Sequence, residues 1–315
     1  MAIDASGYTA TELYKELIWK IDMEGEDEPS RNGDVVTIQR PVTAALWNPQ
    51  NRVLFARKRK PNHVFHVMEA IWMLAGENNV EWLLPFNSNI SKYTEDNVMH
   101  GAYGHRWRNH WGFNQLLTIR DVLIRDPFSR QAVLSMWDAP EDLGFHRHKD
   151  RPCNTHIYFR VVNDQLDMHV LNRSNDFFWG MMGSNVVHFT MLHEVMAAMV
   201  GKDLGTYYVT TNNLHVYRNY PNLDEVHREA MFAETEIRPQ PIPLIMGLER
   251  GEDFIMDCQD FVGGVPEKEL RTFWMRNVAH PMKLWYLTKY YREDLIEAVK
   301  CPMWEAGLRM FNGEL

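Results

Sequence analysis

Residues 150–180 read DRPCNTHIYFRVVNDQLDMHVLNRSNDFFWG, and the apolar pattern of this segment predicts the central strands of the fold. Within it, residues 155–162 and 166–172 alternate between apolar and polar side chains, as half-buried strands do. The pair Asn163-Asp164 separates the two runs, and such a pair favours the tight turn of a β-hairpin. The sequence therefore predicts two antiparallel strands joined by a short turn.

A single cysteine lies at the start of this hairpin, and a cluster of phosphate-binding residue types lies at its end. Cys153 directly precedes the first strand, and Arg173 and Ser174 directly follow the second, so the hairpin brings the three side chains together. Arginine and serine bind phosphate well, and a nearby positive charge lowers the pKa of a thiol. Because lone cysteines are more often structural, two interpretations stay open: a buried structural thiol, and a nucleophile facing a phosphorylated substrate.

Helical and extended segments surround the hairpin, as judged from hydrophobic spacing. The predicted helices cover residues 9–21, 63–75 and 185–200. The further predicted strands cover residues 35–40, 52–56 and 131–137. The tail from Glu267 is mostly helical in pattern and rich in aromatic residues. Since no internal repeat or linker interrupts the chain, one continuous α/β or α+β domain is the simplest interpretation.

The composition and net charge of the chain indicate which kinds of partner its surface can bind. The chain has 315 residues, of which 45% are hydrophobic and 24% charged, as in an ordinary globular protein with a substantial core. Its formal net charge of -9 argues against a surface that grips a polynucleotide. We therefore expect no direct polynucleotide binding, and any connection with nucleic acid is through a small nucleotide.

Cysteine usage and hydropathy indicate the compartment. Cys153, Cys258 and Cys301 lie far apart without CxxC spacing, which fits neither a disulfide framework nor a zinc module. The N-terminal residues lack the basic start and apolar run of a signal peptide. No apolar stretch approaches the roughly 18 residues of a membrane helix. These features predict a cytoplasmic protein, of a cell or of a virus-infected host, with no membrane association.

Two other clusters have simple explanations. The sequence HRHKD contains His146, Arg147 and His148, but a His-x-His spacing without a cysteine or carboxylate partner is more often a solvated loop than a metal site. The sequence FARKRKPNH, residues 55–63, is best interpreted as a solvated basic turn before a helix. We therefore expect no metal.

Five segments, taken in order, resemble the thymidylate synthase family, which includes thymidylate synthases and pyrimidine nucleotide hydroxymethylases. These segments are RDPFSRQAVLSMW, RPCNTHIYFRV, LDMHVLNRSNDFFWG, NVVHFTML and NNLHVY. The similarity extends from about Arg31 to Tyr217. It implies an α/β fold of the α+β type, with a large mixed β-sheet flanked by helices. The whole chain, 1–315, is then a single domain with an unmatched helical extension over about 267–315.

The resemblance implies covalent catalysis at a pyrimidine ring. Cys153 in RPCN matches the family's nucleophile, which adds to C6 so that C5 accepts a one-carbon unit from 5,10-methylenetetrahydrofolate as co-substrate. Glu69 in VMEAIW matches the general acid/base glutamate, which works through ordered water. Tyr103 in AYGHRW resembles a tyrosine that assists proton removal from C5. Asn154 occupies the position where a histidine commonly follows the nucleophile.

The resemblance also implies a phosphate site shared between two subunits of a homodimer. Arg31 in SRNG resembles the mobile-loop arginine, and Arg173 and Ser174 resemble the pair supplied by the same subunit. Arg130 in FSRQ resembles an arginine given across the interface. The family usually has two consecutive arginines there, whereas this chain has Gln131 in the second place.

Sugar and folate contacts follow from the remaining matches. His215 and Tyr217 in LHVY resemble the pair that hydrogen-bonds the 3'-hydroxyl of the sugar. Asp176 and Gly180 match positions that face the folate pterin, and Trp179 between them is grouped with the folate site. Their presence implies that a folate co-substrate is used.

The residue that reads the base distinguishes uracil from cytosine. The family uses an asparagine for uracil and an aspartate for cytosine, because the two bases present different donors and acceptors at N3 and the 4-position. Aligning NVVHF puts Asn185 in this role, while a gapless count from the preceding motif gives Ser184. Asn185 favours uracil.

Three departures bear on the product. Asn154 replaces the ring that orders water near O4. The tryptophan pair of family synthases is absent from NSNISKYTED, where Ser91 and Thr94 lie near those positions with Tyr93 between them. The last residues, LRMFNGEL, lack the short apolar ending that closes over folate. Without such shielding, water rather than hydride reaches the methylene intermediate.

The leading hypothesis is therefore conversion of dUMP to 5-hydroxymethyl-dUMP. Ordinary thymidylate synthesis is the alternative if Trp82 or Trp304 supplies the missing shield. A dCMP or CMP hydroxymethylase is a further alternative. A catalytically silent relative that binds nucleotide or RNA is the alternative from another class, suggested by Gln131 and Asn154.

Overall fold

Two β-sheets and a set of surrounding helices make up the fold. A computed structural model describes residues 3–144, 148–232, 238–289 and 292–315. The strands are β1 (Ala5–Gly7), β2 (Gly25–Glu28), β3 (Val35–Ile38), β4 (Val42–Leu46), β5 (Val133–Ser135), β6 (Asn154–Val162), β7 (Gln165–Asn172), β8 (Asn175–Asp176), β9 (Asp203–Thr211) and β10 (Leu214–Tyr217). The helices are α1 (Ala10–Glu24), α2 (His63–Ala75), α3 (Tyr103–Arg108), α4 (Gln115–Arg125), α5 (Ala139–Asp142), α6 (Asn185–Val200), α7 (Leu223–Phe232), α8 (Gly251–Val262), α9 (His280–Leu287), α10 (Glu293–Glu297) and α11 (Pro302–Asn312).

The larger sheet has the strand order β1-β4-β9-β7-β6-β5. It is mixed, because β1 pairs with β4 and β7 with β9 in parallel while the other neighbours are antiparallel. The predicted hairpin is confirmed as β6 and β7. Asn163 and Asp164 form its two-residue turn with φ of 49° and 66°, the left-handed conformation that asparagine and aspartate tolerate.

The smaller sheet has the order β2-β3-β10-β8 and continues from the end of the hairpin. Two residues separate the end of β7 from the start of β8, so the chain passes from one sheet to the other at Arg173 and Ser174. The parallel pairing of β8 with β10 sets Asp176 beside His215. The junction of the two sheets thus collects polar residues from distant parts of the sequence.

Helix α6 lies at the centre of the molecule. All but two of its sixteen residues are buried, and it packs against α2, α4, α8 and strands β7 and β9. The sequence predicted its bounds correctly but suggested an apolar stripe with an exposed face. That expectation is wrong because helices cover the side of α6 that faces away from the sheet.

The chain departs from the predicted strands in two places. Residues 52–56 form no strand, since this segment is held by side chains: buried Arg52 is paired with Glu194 of α6, and the Phe55 N–H donates to Thr11 Oγ1. The strand predicted over 131–137 shortens to β5. The other two predicted helices are confirmed as α1 and α2, and Gly76 ends α2 with φ of 86°.

The tail is helical, as its pattern predicts. A π-helical turn, Met275–Ala279, leads into α9, and α10 and α11 follow. Both α9 and α11 contact α2, and Trp285 and Trp304 are fully buried in the same hydrophobic core as α2 and α6. Among the described residues, no helix combines the length and apolar character that crossing a bilayer requires.

Candidate active site

Cys153 lies where the hairpin meets helix α3. Its backbone carbonyl accepts a hydrogen bond from the Arg173 N–H at 2.9 Å, and the Arg173 guanidinium donates to Pro152 O at 3.0 Å and to Arg151 O at 3.2 Å. From the other side, the hydroxyl oxygen of Tyr103 accepts from the backbone N–H groups of Cys153 and Asn154 at 3.3 and 3.4 Å. The hairpin thus brings Cys153 and Arg173 together as the sequence predicts, and the fold adds Tyr103.

The electrostatic setting of the thiol differs from the expectation. Burial raises the pKa of Cys153, the Arg173 charge opposes this shift, and the Asp150 carboxylate adds to it. Arg173 lowers the thiol pKa, as the sequence predicts, but the net direction is upward because desolvation outweighs the guanidinium. A proton acceptor near the thiol would favour the thiolate.

Asn154 is directed into the sheet rather than toward open space. Its side chain is fully buried, and Nδ2 donates to Leu171 O at 2.8 Å and to His156 O at 3.3 Å. The amide fills an irregularity in the register between β6 and β7. Its Oδ1 has no hydrogen-bond partner among the described residues. The contacts of Asn154 therefore hold the backbone next to Cys153 in place. The catalytic role expected for Asn154 stays a prediction.

Asp176, Trp179 and Gly180 follow Arg173 and Ser174 along the chain and form a second group of predicted site residues. Asp176 Oδ1 accepts from the Trp179 N–H, and burial raises the pKa of Asp176 although this hydrogen bond and nearby His215 oppose the shift. A Cβ on Gly180 would lie 2.2 Å from Asn175 Oδ1, so glycine is required for this turn to pack. The Trp179 ring is 59% exposed and forms a flat, accessible surface beside the carboxylate.

His215 and Tyr217 extend from β10 toward the Arg31 loop. His215 Nδ1 lies 2.9 Å from Asn213 Oδ1, and its ring meets Tyr217 edge-on at 5.2 Å. The Tyr217 hydroxyl accepts from Asn32 Nδ2 at 3.4 Å, which places the loop carrying Arg31 beside the two side chains. Arg31 itself is exposed and makes no hydrogen bond or ion pair with another described residue. It is therefore available to an anion.

The N-terminal part of α6 contacts Asn175, Glu69 and Tyr103. Asn185 Nδ2 donates to Asn175 Oδ1 at 3.1 Å. His188 Nε2 lies 3.1 Å from Glu69 Oε2 on α2, and the Phe189 ring stacks on Tyr103 with centroids 5.9 Å apart. The expected base-reading residue, the expected acid/base residue and the Cys153 group are thus held by one helix.

Arg130 and Gln131 lie apart from this assembly. Both are exposed in the segment before β5, and Arg130 makes no contact with the other predicted site residues in the described part of the chain. Phe128 beside them is 88% exposed. A role for Arg130 at this chain's own Cys153 therefore has no support in the monomer, whereas donation to a second subunit agrees with its exposure.

Sequence reasoning missed three polar residues of the site. Arg59 is buried rather than part of a solvated turn: it donates to Phe178 O at 2.5 Å, and its guanidinium lies 5.2 Å from the Trp179 ring centroid. Asn175 and His188 hold Asn185 and Glu69 through the contacts given above. The basic run around Arg59 was the only signal, because contacts between distant elements have no local pattern.

The positions of the missing tryptophans hold small side chains. Ser91 is exposed, Thr94 is buried and donates to Ser91 O at 3.0 Å, and Tyr93 is exposed. Trp82 packs against Phe86 and Phe261, and Trp304 is fully buried against His63. Both tryptophans are thus engaged in the core.

A cysteine and an arginine meet at the base of a hairpin in a mixed sheet, and a buried carboxylate lies beside an exposed aromatic ring. These features define a candidate nucleotide enzyme. The sequence model of the thymidylate synthase family matches residues 12–254. The chain therefore belongs to the thymidylate synthase family. Among solved structures, the thymidylate synthase of T4 phage shares the fold with a TM-score of 0.64 at 21% identity, covering 82% of this chain and 94% of that one.

Curated relatives are more similar in sequence. A deoxyuridylate hydroxymethyltransferase of Pseudomonas phage M6 is 44% identical over 209 residues, which is 66% of this chain and 59% of the relative. Proteins with the same description from Bacillus phage SP01 and Delftia phage PhiW-14 are 37% and 32% identical, over 67% and 68% of this chain and 58% and 63% of their own lengths. The chain thus spans about three fifths of the length of these relatives.

Proposed function

We propose that the protein transfers a one-carbon unit from 5,10-methylenetetrahydrofolate to C5 of dUMP and releases 5-hydroxymethyl-dUMP. The observation that carries this proposal is the Cys153–Tyr103–Arg173 arrangement combined with Ser91 and Thr94 in place of a tryptophan pair. The phage hydroxymethyltransferases named above support it.

Cys153 and Arg173 carry the first step. Arg173, Ser174 and Arg31 hold the 5'-phosphate, while the Cys153 thiolate adds to C6 of the uracil ring and the electron pair of the C5–C6 double bond moves toward C5. The folate supplies a methylene carbon at the oxidation level of formaldehyde. C5 bonds to that carbon, and Tyr103, whose oxygen accepts two backbone N–H groups, has its hydroxyl proton directed away from them to relay the C5 proton.

Water completes the reaction. The bond from the transferred carbon to folate N10 breaks as C5 bonds to that carbon, and N10 takes a proton from solvent. When C5 then loses its proton, the bond from the carbon to N5 breaks, tetrahydrofolate leaves with that proton on N5, and the nucleotide carries an exocyclic methylene. Hydroxide from water adds to this carbon and Cys153 leaves C6, which restores the ring double bond. The water's remaining proton goes to solvent through Glu69, which faces His188. With Ser91 and Thr94 at the shielding positions, the methylene carbon is accessible to this water.

Asn185 supports uracil as the base. Its Nδ2 is held by Asn175 Oδ1, which leaves Oδ1 to accept from uracil N3–H and the second Nδ2 hydrogen to donate to O4. Asp176, Trp179, Gly180 and Arg59 form the proposed folate contact, with the exposed indole as a stacking surface and Arg59 fixed behind it.

We further propose a homodimer in the cytoplasm of a host cell. The outer face of the larger sheet carries a row of ring contacts, Trp47–Tyr208, His169–Tyr208 and Tyr158–His169, with centroids 6.2–6.4 Å apart. Trp47 and Tyr158 are exposed, and such a row suits a sheet-to-sheet interface. This arrangement lets Arg130 complete the phosphate site of the second subunit.

Product analysis tests the proposed reaction. Purified protein is incubated with methylenetetrahydrofolate and, in parallel, dUMP, dCMP, UMP and CMP, with Cys153→Ser as the inactive control. We expect tetrahydrofolate and a dUMP product heavier by CH₂O. Dihydrofolate with dTMP would contradict the hydroxymethyl product, and turnover of dCMP alone would contradict the role of Asn185. If nothing is turned over and 5-fluoro-dUMP with folate forms no adduct on Cys153 by intact mass, the chain is a silent relative.

A further inference from the structure

Glu95 and His100 lie five residues apart beside the active-site loops, and the fold brings the distant His148 to them. Their ligand atoms all lie within 4.8 Å of one another. Glu95 Oε2 is 3.7 Å from His100 Nε2 and 3.6 Å from His148 Nδ1. In a tetrahedral zinc site with bonds of 2.0–2.1 Å, neighbouring ligand atoms lie about 3.3 Å apart. Small side-chain shifts therefore give metal-ligand spacing.

The two imidazoles lie next to the same carboxylate oxygen, and rotation of their stacked rings turns one nitrogen of each toward a common ion. Their rings stack with centroids 3.6 Å apart and an interplanar angle of 20°, and one nitrogen of each faces the same carboxylate oxygen. The side chains of Glu95, His100 and His148 are 40%, 35% and 20% exposed, so an ion has access from solvent and water completes its coordination. The sequence predicts no carboxylate partner for His148, whereas the fold provides one in Glu95.

The surrounding contacts hold the three groups in place. Glu95 Oε1 accepts from the Lys149 N–H at 3.2 Å, which leaves Oε2 for the ion. On the opposite side of the His148 ring, Nε2 lies 3.6 Å from Glu141 Oε2, as in the carboxylate–histidine–metal arrangement of many sites.

We propose that Glu95, His100 and His148 bind a zinc-type divalent cation that joins the loop before Tyr103 to the loop before Cys153. These loops already meet where the Gly101 N–H donates to Asp150 Oδ2 at 2.8 Å. An ion held by His100 and His148 adds a second connection, two residues before Asp150 and three before Tyr103. Its role is to fix the spacing between the hydroxyl of Tyr103 and the backbone of Cys153.

Zinc binding to chelator-treated protein, without nucleotide or folate, tests this site independently of the proposed reaction. We expect one equivalent of Zn²⁺ to compete with a chromophoric chelator and to raise Tm, and Co²⁺ to give the visible absorption of a tetrahedral site. His100→Gln, His148→Gln and Glu95→Gln should each weaken Zn²⁺ binding at least about tenfold.

His280→Gln is the matched control, because His280 forms a similar surface pair with Glu267 at 3.6 Å that has only one imidazole. It should bind Zn²⁺ like the wild type. Equal zinc affinity in the wild type and all three ligand variants, or an equal loss in the control, would overturn the site. Circular dichroism of each metal-free variant separates lost binding from lost folding.

Discussion

Two opposing effects set the pKa of a single side chain, the thiol of Cys153. Burial raises its pKa and the Arg173 guanidinium lowers it. We therefore predict that Arg173→Gln raises the thiol pKa further and slows alkylation of Cys153 by iodoacetamide at pH 7.5. In both proteins the rate should climb as pH rises, because only the thiolate reacts. Peptide mass mapping distinguishes Cys153 from buried Cys258 and Cys301.

Arg160→Gln is the control for that experiment. Arg160 lies on the same hairpin, in β6, but is not among the groups that shift the Cys153 pKa. Its removal should leave the alkylation profile unchanged. A faster reaction in Arg173→Gln than in the wild type would show that the guanidinium shields the thiol instead of favouring its charged form.

Asn185 determines the choice of base under the proposed function. We predict that Asn185→Asp lowers turnover of dUMP more than tenfold relative to dCMP, because a carboxylate accepts from the cytosine amino group but cannot donate to uracil O4. Asn175 can adjust to this change by turning its amide so that Nδ2 donates to the new carboxylate. This Nδ2 is buried without a partner among the described residues. Competition between dUMP and dCMP in one mixture measures the ratio, and an unchanged ratio would assign base reading elsewhere.

Residue-level prediction worked where the chemistry is local. The turn at Asn163-Asp164 fixes the hairpin register, so the approach of Cys153 to Arg173 followed from spacing alone. Glu69, Asp176 and His215 were proposed only through the family resemblance, since their neighbours lie on other elements. Arg59 and His188 were missed for the same reason: nothing in their own segments marks the Trp179 ring or Glu69 as a contact.

At the scale of elements, the position of Tyr103 depends on close packing of α3 against α2. A Cβ on Gly104 would lie 1.8 Å from the backbone oxygen of Met73. We predict that Gly104→Ala lowers the free energy of unfolding by about 3 kcal/mol, at the upper end of overpacking costs. Urea unfolding measures the change.

Gly263→Ala provides the matched comparison at the end of α8. Its φ is -68° and the nearest atom to an added Cβ is Gln259 O at 3.2 Å. We expect a change within about 1 kcal/mol. If Gly104→Ala lowers the free energy of unfolding no more than Gly263→Ala does, the α2–α3 contact accommodates an added Cβ more easily than its geometry indicates.

Element prediction succeeded for strong periodic patterns and failed where tertiary contacts replace them. The bounds of α2 and α6 and the hairpin strands agree closely with the sequence. Residues 52–56 have the composition of a strand, yet the ion pair of Arg52 with Glu194 and the bond to Thr11 hold them in an irregular path. β-propensity describes fit to a pleated surface, and no such surface is available there.

At the scale of the whole molecule, a shared active site makes a complementation test possible. Under the proposed dimer, Cys153→Ser and Arg130→Ala remove groups that serve the same site from different subunits. We predict that mixing the two impaired proteins in equal amounts after subunit exchange restores about a quarter of wild-type activity, because half of the dimers are mixed and each has one intact site.

Activity of the mixture no higher than the mean of its parts would contradict the shared site. The control is a mixture of Arg160→Ala with Cys153→Ser, because Arg160 lies in β6 and is not part of the proposed shared site. The activity of that mixture should equal the mean of the activities of its two parts.

The position of α8 has a consequence for synthesis of the chain. Gly251 lies so close to α6 that an added Cβ would be 2.6 Å from Val195 O, and α8 covers α6 and α2 together. The family match ends at residue 254, within this helix. While the chain leaves the ribosome, α6 keeps an apolar flank in water until α8 has emerged about fifty residues later. A recombinant fragment cut at the family boundary would retain every proposed catalytic side chain and still be prone to aggregate.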